Sequence, residues 1–145
     1  MITDKKLINS LEKSWALQIK KYCLSILQCD NNEALILVSK NSVIVLAYHN
    51  SIPGVDLRWL VRKNKVWRSY SAYNLVWKRS PNKTIIKVDD ESLEYELDVI
   101  ISKLEEAGKD MLSGEIEWTK EYENIFGPPI NINFRNYNNA LNSIL

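Results

Sequence analysis

The side chains best able to do chemistry in this chain are carboxylates. Residues 89–123 hold thirteen Asp and Glu against three Lys. Glu91, Glu94, Asp98 and Glu105 recur at helical spacing and fall within a sector about 60° wide at 100° per residue. Glu91 and Glu94, one turn apart, come close enough for general acid–base work. On an exposed helix the same spacing ordinarily serves only to solvate a surface. A dense outward row of carboxylates has a further use, because it speeds encounter with a cationic protein. Tyr95 and Tyr122 would add aromatic anchors of the kind interfaces favour.

The preceding segment carries the opposite charge. Residues 55–88 hold nine Lys and Arg against one acid, Asp56. Arg58, Arg62, Lys63, Lys65 and Arg68 interleave with Trp59, Trp67, Tyr70, Tyr73 and Trp77. Cations for phosphates and rings for base stacking make a single-stranded nucleic-acid surface. Alternation argues against that reading in the first strand. Trp59 shares a face with Leu57 and Val61, opposite Arg58 and Arg62, so the indole belongs to a core. The whole chain carries only +1, which a general polyanion binder would exceed.

Other chemistry is not signalled. The four glycines, at 54, 108, 114 and 127, stand at turns and helix ends, and no phosphate-binding or nucleophile-elbow motif occurs. His49, the single histidine, reads as a turn residue without a partner to activate it. Cys23 and Cys29 form no Cys-x-x-Cys pair and read as small core residues. The expectation is a protein that is not an enzyme, with no cofactor and no metal. MITDKKLINSLEKSW lacks the apolar core of a signal peptide, and no window approaches a membrane span. A cytoplasmic location with reduced thiols is expected.

The elements that must position these residues are legible as a change of period. Leu7, Leu11, Trp15 and Ile19 lie four apart on one amphipathic helical stripe, which Thr3 or Asp4 can cap. Its end is open, because Tyr22 and Ile26 continue the helix to Gln28, yet Tyr22, Leu24 and Ile26 also alternate as a strand. The preferred reading is helix to about Gln18 and strand over residues 21–28. Residues 34–38 and 43–48 are apolar without alternation, so those strands should be covered on both faces. Two hairpins follow, VDLRWLVRKNKVWRSYS and NLVWKRSPNKTIIKV, the second turning at Ser80-Pro81-Asn82-Lys83. From Val88 the period becomes helical, with Leu93, Leu97, Ile100 and Leu104 inward, an Asp89–Glu91 cap and a stop at Gly108. A second C-terminal helix runs from Asp110 to Phe126, with Ser113-Gly114 able to interrupt it, and Gly127-Pro128-Pro129 ends it. The prediction is one α+β domain over residues 1–145, with a six- to seven-stranded antiparallel meander, an N-terminal helix and two C-terminal helices. The Asn-rich tail, 130–145, could add an edge strand through Ile130, Ile132 and Phe134, then a docked helix through Leu141 and Ile144.

This layout resembles the small immunity proteins of bacterial polymorphic toxin and contact-dependent growth inhibition systems. The resemblance rests on the N-terminal amphipathic helix, the RWLVRKNKVWRSY hairpin and the acidic segment DDESLEYELDVIISKLEEAG, and spans residues 1–126 as a pattern. It implies a protein that binds and neutralises one cognate toxin, often a nuclease, inside the producing cell. With the charge pattern, it makes Glu91, Glu94, Tyr95, Asp98, Glu105 and Tyr122 the expected partner-binding residues. The alternative is nucleic-acid binding through Arg58, Arg62, Lys63, Lys65 and Arg68.

Overall fold

A computed structural model describes residues 4–28, 34–48, 55–64, 66–80 and 93–131. The N-terminal stripe forms α1 (Asp4–Ser14) and α2 (Ala16–Lys21). Backbone bonds from Trp15 N to Leu11 O and from Ile19 N to Trp15 O keep the two in one bent helical run. Leu7, Leu11 and Trp15 are buried, as their spacing requires. The run ends in a Schellman motif. Leu24 N donates to Ile19 O at 2.9 Å and Cys23 N to Lys20 O at 3.3 Å, with Cys23 at φ +52 in the position usually given to glycine. The helix therefore reaches Lys21 and the strand starts at Ser25, later than the alternation of Tyr22 and Leu24 predicts.

The sheet is antiparallel, and its strands lie in chain order. They are β1 (Ser25–Gln28), β2 (Ala34–Val38), β3 (Ser42–Tyr48), β4 (Val55–Lys63), β5 (Val66–Tyr70) and the two-residue β6 (Ile130–Asn131) at the edge beside β5. Among the described residues five strands make the meander and β6 brings the sheet to six, where six or seven meander strands were expected. Cross-strand registers sort the side chains. Ile44, Leu46, Leu57, Trp59, Val61 and Tyr70 join the core beneath the helices. Val43, Val45, Leu60 and Ser69 point the other way and are buried too. The unalternating run in β3 is thus covered on both faces, as central strands are.

The second hairpin is not formed as predicted. Residues Ala72–Arg79 are a helix, α3. Ala72, Leu75 and Val76 are its buried positions, a three- and four-residue spacing that fits a helical stripe better than alternation. Tyr73 and Trp77 are therefore helical neighbours, stacked edge-on at 6.1 Å, and not strand anchors.

The C-terminal helices are α4 (Leu93–Ala107), α5 (Lys109–Leu112) and α6 (Trp118–Phe126). The stretch after Gly108 breaks at Ser113-Gly114, where the sequence allowed an interruption. Gly108 does mark the end of α4, by close approach and not by a left-handed turn. A Cβ there would stand 3.0 Å from Leu104 Cδ2 and 3.1 Å from Val76 Cγ2. The α4 helix packs on α1 and α3, and α3 packs on β4. The result is a helical layer on one face of a sheet, with Trp15, Trp59, Leu75, Leu97 and Tyr70 in a shared core. The Asn50–Gly54 turn, the Pro81–Lys83 part of the predicted turn, the Thr84–Val88 strand, the Asp89–Glu91 cap and the tail beyond Asn131 lie outside the described residues, as do Cys29, His49, Lys65 and Glu91.

Candidate functional site

The α4 helix starts with acids where its dipole favours them, Glu94 and Glu96 in the first turn. Its inner stripe, Leu93, Leu97, Ile100, Ile101 and Leu104, is buried. The outer face is then set by geometry. Glu94, Tyr95, Asp98, Ser102 and Glu106 are exposed, Tyr95 at 58%.

One flank of that face is taken by the N-terminal helices. Trp15 Nε1 donates to Leu97 O at 3.0 Å, and Ser14 Oγ donates to Asp98. Tyr22 donates to Glu105 Oε2 at 3.1 Å, and Lys21 reaches the same oxygen at 3.5 Å. The partners advance together along both helices, so α1–α2 and α4 run side by side in one direction. Glu105 supports the neutral Tyr22 hydroxyl, whose pKa is raised by burial first and by this bond second.

Of the expected partner-binding residues, Glu94, Tyr95 and Asp98 are gathered on one outer face of α4. Two expectations change. Glu105 is half-buried in the α2 contact, because Lys21 and Tyr22 close over it. Tyr122 is a core residue, 9% exposed, with its ring edge-on to Tyr70 at 5.2 Å. Its α6 stripe faces the sheet, so it offers no surface anchor.

Two further clusters join the basic and acidic halves of the sequence. Arg79, at the end of α3, is forked. Its NH1 and NH2 donate to Asp110 at 3.0 and 3.2 Å, its NH2 to Glu121 at 2.6 Å, and its NH1 to Ala107 O at 2.9 Å. Glu121 first, then Asp110, hold its pKa above an already high ordinary value. The second cluster surrounds Lys103, a lysine 6% exposed in α4. Its Nζ donates to Ser80 Oγ at 2.9 Å and lies 5.3 Å from the Trp77 ring centroid. Ser80 Oγ in turn donates to Glu106 at 3.1 Å.

A lysine bonded to a serine is the contact a serine nucleophile needs from its base. Here Ser80 is 3% exposed and its proton goes to a carboxylate. The cluster therefore clasps α3 to α4. Sequence reasoning missed it, although Lys103 falls beside the leucine stripe, which is the signal of a buried cation. Glu96 was missed in the same way. It accepts from Val55 N at 3.2 Å, and burial raises its pKa while that N–H opposes the rise. Nearby, burial pushes the Tyr73 hydroxyl up to about 12.

The basic residues do not form one surface. Register places Arg58 and Arg62 on the sheet face away from the helices, Arg58 across from Val45 and Arg62 across from Trp67. Arg58 Nε donates to Ser69 Oγ at 2.7 Å. Arg68 pairs with Val61 on the helix side, and Lys63 donates to Thr119 Oγ1 of α6 at 2.8 Å. Trp59 and Tyr70 are fully buried. The rings and cations of the expected nucleic-acid strip are thus divided between two faces and a core. Comparison with known protein families, characterised proteins and solved structures yields no match.

Proposed function

We propose that the protein is a binding protein of the immunity type, which neutralises a cationic toxin domain by covering it with the outer face of α4. The observation that carries this reading is the exposed row of Glu94, Tyr95, Asp98 and Glu106 on one rigid helix. Three carboxylates give long-range attraction to a basic surface, and a half-exposed tyrosine gives contact area at low entropic cost. Neutralisation needs no catalysis, only a complementary face that blocks a site built for a polyanion. The helix is braced for this by the Ser14, Lys21 and Tyr22 contacts, so little ordering is lost on binding.

The test takes the product of the gene directly upstream, expected to end in a toxin domain, and measures its association by calorimetry at two salt concentrations. Affinity should fall as salt rises. Glu94→Lys with Asp98→Lys should weaken association at least about tenfold, roughly 1.4 kcal/mol, with an unchanged circular dichroism spectrum. Equal affinity of the double variant would remove α4 from the interface.

A further inference from the structure

The sheet face away from the helices ends in a polar cleft of about 320 Å³. It opens beside the β2–β3 turn. Lys40, Asn41 and Ser39 form one wall, Arg62 and Trp67 the other, and Ile116 closes the end. Arg62 and Trp67 are cross-strand partners on β4 and β5, so guanidinium and indole stand side by side on one face. The register Ser42 to Val61 and Val43 to Leu60 brings the β2–β3 turn up to Arg62. Lys40, Asn41 and Arg62 are exposed.

The wall made by the β2–β3 turn is fixed before any ligand arrives. Ser39 N donates to Ser42 O at 3.0 Å, Ser39 Oγ bonds the same oxygen at 3.2 Å, and the two serine hydroxyls stand 3.0 Å apart. Gly114 presses on this turn from the far side. It sits at φ +80, and a Cβ there would stand 2.9 Å from Lys40 N and from Ser39 Oγ. Only glycine meets both conditions. This contact holds the loop bearing Ile116 against the turn bearing Lys40.

The lining has a definite chemistry. Two cations, two kinds of hydrogen-bonding side chain and an indole converge over an apolar part made by Val38, Val43 and Ile116. Among the described residues that line the cleft, none carries a carboxylate. Glu115 and Glu117 flank Ile116 in the chain but are not in the lining. Cations beside an aromatic face are what a phosphate joined to a planar base requires. The volume lies near the lower end, roughly 300 Å³, of small-molecule clefts, which admits one nucleotide unit and not a folded polymer.

We propose that this cleft binds a nucleoside phosphate, with the phosphate held by Lys40 and Arg62 and the base laid against Trp67. The site shares no residue with the α4 face and stands independently of the immunity reading. The same chemistry is offered by a free nucleotide and by one unit of a single strand, and the experiment separates them.

The test uses adenosine 5′-monophosphate, adenosine, ribose 5-phosphate and a short oligoadenylate, titrated into the full chain by calorimetry. The monophosphate should bind, and adenosine and ribose 5-phosphate should each bind at least tenfold more weakly. Lys40→Glu with Arg62→Glu, both at exposed positions, should abolish binding with an unchanged circular dichroism spectrum. Trp67→Leu should remove the advantage of the monophosphate over ribose 5-phosphate. Affinity for the oligoadenylate equal to that for the monophosphate assigns a free nucleotide, and a tenfold gain assigns a strand. No binding of either at millimolar concentration overturns the proposal, as does binding that survives the double charge reversal.

Discussion

Glu96 shows how a single carboxylate can work against its surroundings. Burial raises its pKa above the ordinary value of 4.5, and the Val55 N–H only partly offsets this. A raised folded-state pKa means the protonated form is favoured by folding. That contribution is complete below 4.5 and is lost as pH climbs through the raised value. Glu96→Gln keeps an oxygen for Val55 and carries no charge. Urea midpoints measured from about pH 4 to pH 7 should therefore fall for the wild type relative to the variant. A difference that does not vary with pH would show that Glu96 is ionised at no cost. The Arg68 side chain illustrates the same tension elsewhere on the helix side of the sheet. Its Nε is buried without a hydrogen-bond partner among the described residues, next to a Tyr70 hydroxyl whose pKa burial raises.

Among the elements, α3 is held by its last residue. Arg79 ties α3 to the end of α4 through Ala107 O, to α5 through Asp110 and to α6 through Glu121. Arg79→Ala leaves those two carboxylates together without their cation. Its cost should be about 2 kcal/mol, between an exposed pair and a buried one. Arg79→Lys should recover less than half of this, because an ammonium cannot serve two carboxylates and a carbonyl in one plane. Chemical denaturation of both variants measures the difference, and equal stability of all three proteins would deny the fork any role.

The α3 helix is also where sequence reading fails. Alternation identified β4 because Asp56, Arg58 and Arg62 take turns with Leu57, Trp59 and Val61, and only the latter set enters the core. The run around Leu75 and Val76 carries the same apolar residues, and its helical spacing shows only when Ala72 is counted into the stripe that packs on α4 and β4. Tyr122 was misplaced for a related reason. It shares one helical face with Trp118, and periodicity does not say which face meets the sheet. The outward residues Glu94, Tyr95 and Asp98 were legible because their own helix carries a complete leucine stripe to orient them. The cleft was not, since Lys40, Arg62 and Ile116 meet only through the fold.

For the whole molecule, the shared core makes a prediction. Trp15 belongs to the helical layer and Trp59 to the sheet, and both are fully buried in one cluster. Urea unfolding followed by tryptophan fluorescence and by far-ultraviolet circular dichroism should give coincident curves. Separate midpoints would mean that the layers melt apart. The order of the strands has a further consequence, in time and not in stability. From β1 to β5 every pairing joins chain neighbours, so each closes a short loop and the sheet can zip up locally. The pairing of Ser69 with Ile130 is the exception. It must wait until the intervening helices have docked, which makes the β6 edge the last part of the sheet to form and the first to exchange its amide protons.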